Sequence, residues 1–223
     1  MPLNKKKNMI MAAINVFLVI STIIIAAIGI TSGTGEGQVG EDMKNLGYLK
    51  AFTNLSNIFA AACAGVMLRY NIRNVRSGGE ELPRGAVLLY YTAASAVGLT
   101  FFIVVGFLGP MFEMMGMGYF TMFRNDMFFS HFFNPVLCSA CFILLQRKHV
   151  FGVKENFVVI IPTVLYSFIY AYMVVIAQRW TDFYNFTFGG HYELTPVVMI
   201  AMYGISFLIA LIQRKLHNRR VEE

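Results

Sequence analysis

The chain has 223 residues, of which 57% are hydrophobic, 15% aromatic and only 13% charged, with mean hydropathy +0.60. That is more apolar surface than a water-soluble domain of this length covers, so the composition points to a bilayer. The formal charge of +6 excludes a nucleic-acid reading, because the Lys and Arg sit at the ends of apolar segments and form no single stripe.

A helix crosses the ~30 Å hydrocarbon core with about 20 apolar residues, and six such stretches follow one another. They make one all-α, polytopic integral membrane domain over residues 1–223, with helices at about 9–30, 48–70, 84–108, 127–146, 157–177 and 195–212. The first follows Lys5, Lys6 and Lys7 and is too long for a signal-peptide core, so it is read as retained. Thr31 to Gly47, with Glu36, Glu41 and Asp42, reads as a polar loop. The second stretch contains Phe52-Thr53-Asn54-Leu55-Ser56-Asn57, and the third is expected to stop at Gly109-Pro110.

Residues 111–126 are rich in Met and aromatics and are expected to lie along the membrane interface, with Met114, Met115 and Met117 as flexible apolar filler. The fourth stretch carries Ser130-His131-Phe132-Phe133-Asn134-Pro135, and a basic loop with Arg147, Lys148 and Lys154 follows it. In the fifth, Pro162 is close enough to the start to be tolerated. The segment from Gln178 to Leu194, with Trp180, Asp182, Tyr184, Asn185 and His191, suits the headgroup level. His149 and His217 fall in basic segments and read as solvated or headgroup-facing.

Cys63, Cys138 and Cys141 all fall within helices, so no disulfide framework is indicated, and the Cys138/Cys141 pair lacks the further ligands a zinc site needs. Neither a metal nor a cofactor is expected. Asn185-Phe186-Thr187 fits the glycosylation acceptor pattern.

Orientation follows from Lys and Arg. The amino terminus, the loops after the second and fourth helices and the carboxyl terminus hold 14, against 4 on the other side. Both termini are therefore expected in the cytoplasm, in the plasma membrane if the source is bacterial. Thr53 then lies five residues into its helix, roughly 8 Å deep, and His131 four residues in, roughly 6 Å deep at 1.5 Å per residue.

The two residues share a depth, and each has polar neighbours on its own helix face: Thr53 with Ser56 and Asn57, His131 with Asn134. A hydroxyl near an imidazole, with amides able to orient the ring or donate to an oxyanion, is a minimal kit for nucleophilic acyl transfer. Tyr166, Tyr170 and Asp182 are further candidates for orienting or substrate-binding roles. The same cluster also fits a small transporter, channel or ligand-binding protein using His131 and the tyrosines as relay or binding groups, and a scaffold without chemistry is a third reading.

Tyr48-Leu49-Lys50-Ala51-Phe52-Thr53 with Ser56-Asn57, Ser130-His131 with Pro135, and Pro162, Tyr166, Tyr170, Trp180 and Asp182 resemble the androgen-induced and androgen-dependent membrane proteins and their uncharacterised bacterial relatives. The animal members are integral-membrane threonine hydrolases of fatty acid esters of hydroxy fatty acids. The resemblance implies Thr53 as nucleophile, His131 as its base, and membrane lipids or an acyl ester as partner.

Overall fold

The structure, a computed structural model, describes residues 3–32, 44–79, 82–146 and 149–222. Glu36, Glu41 and Asp42 of the acidic loop, and Arg147 and Lys148 of the basic one, lie outside the described residues. Among the described residues there is no strand. The long helices are α1 (Leu3–Ser32), α2 (Phe52–Ser77), α3 (Arg84–Met114), α4 (Asp126–Leu145), α5 (Val153–Ile176) and α6 (Thr195–Glu222). The stretches containing α1, α3, α4, α5 and α6 are long and apolar enough to cross a membrane. Many of their apolar side chains face outward, Ile23, Phe107, Leu165 and Ile200 among them, as lipid-facing surface requires.

By composition α2 stands apart, with Asn54, Asn57, Asn71 and Asn74 and three arginines in its sequence. Its arginines are exposed but its asparagines are buried against neighbours: Asn15 of α1 donates to Asn71 Oδ1 at 2.9 Å, and the Tyr90 hydroxyl of α3 donates to Asn15 Oδ1 at 3.0 Å. In an apolar surrounding an amide without a partner is costly, so such pairs fix how α1, α2 and α3 pack. The start of α2 is also sharper than its apolar pattern indicates. Residues Asn45–Lys50 form a separate 3₁₀ turn, Ala51 is extended, and Thr53 is the second residue of the helix proper.

Pro110 and Pro135 sit inside helices without ending them. The expected stop at Gly109-Pro110 is not there: α3 passes through a π turn at Val104–Leu108 and continues to Met114. A π turn inserts one extra residue into the helical ladder, which gives a proline, lacking an N–H, a place where none is needed. Gly109 has a second reason to be glycine, since a Cβ there would meet the Tyr119 ring at 2.8 Å, and Tyr119 donates to Val105 O at 2.7 Å. In α4 a π turn at Phe129–Phe133 likewise precedes Asn134-Pro135.

Met114 and Met115, read as flexible apolar filler in a segment along the membrane interface, are 88% and 63% exposed. Short helical turns return the chain over 111–125 and leave the Met side chains outside. The three cysteines do pack in the core: Cys63, Cys138 and Cys141 are free thiols at most 2% exposed. His217, expected at the surface, is fully buried. Its Nδ1 lies 3.0 Å from Phe142 O and its Nε2 2.8 Å from His149 O, and the ring stacks on Phe142 with centroids 4.4 Å apart. α6 runs on to Glu222, well beyond the expected 212, and this carries the histidine into the bundle.

Candidate functional site

The first turns of α2 and α4 lie side by side at the end of the bundle away from the chain termini, and Asn57 joins them. Its Nδ2 donates to Thr53 O at 2.8 Å within α2 and to Ser130 O at 3.0 Å on α4. The π turn is what exposes the Ser130 carbonyl to a partner outside its own helix, since the i→i+4 ladder is interrupted there. Asn134 Nδ2 donates to Asn57 Oδ1 at 3.3 Å, and Ser21 of α1 donates to Asn134 Oδ1 at 3.0 Å. The Ser56 hydroxyl bonds back to Thr53 O at 3.0 Å and lies 3.1 Å from the Thr100 hydroxyl of α3. Ser56, Asn57, Ser130, His131 and Asn134 are all at most 7% exposed, so four helices converge on one buried polar layer.

His131 is oriented from below the loop 119–125. Its Nδ1 lies 2.8 Å from Met122 O, and a carbonyl only accepts, so in the neutral ring Nδ1 carries the proton. Nε2 is then the basic nitrogen. This is the tautomer a general base requires.

Thr53 is half-buried, with its carbonyl turned to Asn57, and the N–H of its neighbour Phe52 is bound by the Tyr184 hydroxyl. No hydrogen bond joins Thr53 to His131. The Tyr184 hydroxyl accepts Phe52 N–H at 2.9 Å, and burial pushes this phenol above its ordinary range, so it remains an O–H donor.

The remaining candidates hold the loop of residues 177–191 over the start of α2. Tyr166 donates to Lys50 O at 2.6 Å. Tyr170 donates to Asp182 Oδ1 at 3.0 Å and accepts Tyr184 N–H at 2.9 Å. Asp182 also receives Phe186 N–H at 2.8 Å and both the N–H and the hydroxyl of Thr187 at 2.7 Å. With four donors on two oxygens, this carboxylate organises its own loop and turns to neither Thr53 nor His131. Through Tyr170 it positions Tyr184, whose hydroxyl reaches Phe52 N–H at the start of α2. Thr187, the hydroxyl residue of the Asn185 acceptor pattern, is 4% exposed and engaged there.

The structure thus brings Ser56, Asn57, Asn134 and the carbonyl of Thr53 together with His131's helix, and sets Tyr166, Tyr170 and Asp182 in a second group beyond the threonine. Sequence reasoning missed Tyr184, Ser21, Thr100 and the Met122 carbonyl. Tyr184 lies in a loop rich in aromatics, where nothing in the local pattern marks one ring above another. Ser21 and Thr100 are lone hydroxyls in apolar helices whose partners are 113 and 44 residues away.

These features define an all-helical protein with several membrane-length apolar helices and a buried polar layer at one end. No protein-family model, curated protein or solved structure matches the chain.

Proposed function

We propose that the chain is an integral-membrane ester hydrolase acting on a fatty-acyl ester, with Thr53 as nucleophile and His131 as general base, in a six-span arrangement with both termini cytoplasmic. The observation that carries the reading is the His131 ring: Nδ1–H is held by Met122 O, which leaves Nε2 as the basic nitrogen. The 14 to 4 distribution of Lys and Arg supports the topology. The sixth span is α2, whose amides are shielded by α1 and α3 instead of facing lipid.

In this reading Nε2 takes the Thr53 hydroxyl proton, directly or through one water, as the Thr53 oxygen attacks the ester carbonyl carbon. Catalytic hydrogen bonds are often long without substrate and tighten once it is bound. The tetrahedral oxyanion is met by the Tyr184 hydroxyl, kept protonated by its burial. Collapse expels the alcohol, which takes the proton from His131, and leaves an acyl-threonine. Water, deprotonated by Nε2, attacks the acyl carbon, and the fatty acid leaves as Thr53 recovers its proton. The acyl chain reaches the site sideways from the outer leaflet, since the outward faces of the helices are apolar.

The test is turnover of a long-chain aryl ester by the purified protein, together with covalent labelling by a fluorophosphonate. Thr53→Ala and His131→Gln are each expected to abolish both signals, and Thr53→Ser to retain them. Turnover and labelling unaffected by either loss would remove the hydrolase reading. Ester-independent flux through proteoliposomes, lost in His131→Gln, would favour the transporter.

A further inference from the structure

The outward face of α2, at the end of the bundle where the chain termini lie, has no part in the proposed chemistry. Arg69, Arg73 and Arg76 stand there at i, i+4 and i+7, so they form one stripe along the helix. With Ile72 and Ser77 they line a groove of about 540 Å³, and all five residues are exposed. On the other side of the same turns Asn71 and Asn74 are buried, and Asn71 donates to Asn8 Oδ1 of α1 at 3.5 Å. The bundle therefore holds the asparagines and turns the arginines out. A surplus of Lys and Arg at this end follows from orientation alone, but orientation does not require three guanidiniums around one groove.

Arginine is the side chain suited to phosphate, since its planar fork meets two oxygens at once and sheds water readily. Ser77 adds a hydroxyl that accepts Gly79 N–H at 3.2 Å and retains its own O–H to donate. The negative end of the helix dipole lies close by and opposes an anion, but its effect fades within the last turn, and Arg69 and Arg73 stand two turns and one turn before Ser77. Further along the same face, towards the middle of α2, come Ala62, Gly65 and Val66, which are i−7, i−4 and i−3 from Arg69. All three are exposed, and a Cβ added at Gly65 meets nothing within 4 Å. Arg69 comes about 25 Å after Phe52 at 1.5 Å per residue, near the far limit of ~30 Å of hydrocarbon. The arginines are thus at headgroup height, and a shallow apolar track leads from them into the hydrocarbon. A soluble anion would use only the arginines, whereas a phospholipid uses both features.

We propose that this face of α2 binds an anionic phospholipid of the inner leaflet, with the headgroup phosphate in the groove of Arg69, Arg73 and Arg76 and an acyl chain over Ala62, Gly65 and Val66. The leaflet rests on the six-span topology proposed above. The assay below has no sidedness and requires no turnover, so its failure is distinct from failure of the topology or of the ester chemistry.

The experiment measures the unfolding temperature of the full chain in neutral detergent. Probes are micelles doped with phosphatidylglycerol or with phosphatidylcholine, and, without lipid, inorganic phosphate or chloride at equal ionic strength. The expected result is a rise of about 3 °C or more with phosphatidylglycerol over phosphatidylcholine, and none with phosphate over chloride. The double variant Arg69→Gln/Arg76→Gln loses the rise. Lys5→Gln/Lys6→Gln removes the same charge from exposed positions of α1 that do not line the groove, and keeps it. Absence of the rise in the wild type would overturn the proposal, as would an undiminished rise in the arginine variant or an equal loss in the lysine variant, which would assign it to net charge. A matching rise with inorganic phosphate would overturn it too, by assigning the groove to a free anion. Should the arginine variant fail to fold, Gly65→Phe takes its place: it blocks the track and keeps every charge, so an undiminished rise there has the same force.

Discussion

Asn134 of α4 donates to the Oδ1 of Asn57 on α2 at 3.3 Å, while the Nδ2 of Asn57 binds the Ser130 carbonyl one turn before Asn134. This pair of bonds, one donated from each helix, sets the level of α2 against α4. It therefore sets how Thr53 and His131 stand relative to each other.

Asn57→Leu keeps the branched shape and removes every one of these bonds. It leaves Ser130 O and the Asn134 amide short of partners in an apolar surrounding, a loss of about 1–3 kcal/mol. The expected outcome is a lower midpoint for unfolding in mixed micelles, and in the ester assay a fall in kcat larger than any change in KM. Asn134→Leu is expected to be non-additive with it, because the two residues share one network.

Removing the Tyr184 hydroxyl isolates its contribution to catalysis. Tyr184→Phe keeps the ring packed on Tyr170 and Phe183 but deletes the donor beside Thr53. If the phenol meets the oxyanion, kcat drops by about 10²-fold, and the unfolding midpoint falls modestly because Phe52 N–H loses its acceptor. Unaltered kcat would assign Tyr184 to packing alone.

Asp182→Asn tests the loop. An amide offers one acceptor oxygen where the carboxylate offers two, so the Thr187 N–H and hydroxyl lose their partner. A destabilisation of about 1–3 kcal/mol is expected, confined to the loop and read as faster backbone hydrogen exchange over residues 180–190.

A close approach of α3 to α6 makes Gly98 sensitive. A Cβ there would meet Gln213 Nε2 at 2.9 Å and Ile209 Cγ2 at 3.2 Å, and that Gln213 nitrogen is already committed to Ala94 O and Ser139 Oγ at 3.1 Å each. Gly98→Ala is expected to lower stability by about 1–3 kcal/mol, whereas Gly65→Ala, with open space around it, should not.

Alkali gives a further check. Tyr48, 1% exposed, is pushed up to about 12, chiefly by burial and further by the charge of Asp126. Its folded-state value exceeds the unfolded value of about 10, so the contribution to stability is intact below about pH 10 and is lost as pH rises towards about 12. Tyr48→Phe should flatten the alkaline stability profile across that interval, and its phenolate absorbance should lose a step near 12 and none near 10.

Local composition made the all-helical, membrane-length character legible, because hydrocarbon demands runs of apolar residues and those runs are contiguous in the chain. It also singled out the two polar motifs, since Thr53, Ser56 and Asn57, and His131 and Asn134, recur at a helical period that is visible without any partner. The path of α3 through Gly109-Pro110 was not legible in that way. Whether a proline ends a helix depends on a π turn ahead of it and on the Tyr119 ring packed against the glycine. Nor could the period reveal that Asn57 would choose the Ser130 carbonyl, that Asp182 would be consumed by its own loop, or that His217 would be buried between two carbonyls. A side chain's spacing along its helix is a local property, but its hydrogen-bond partner is whatever a distant segment brings within about 3 Å, and only the packing of the helices decides that.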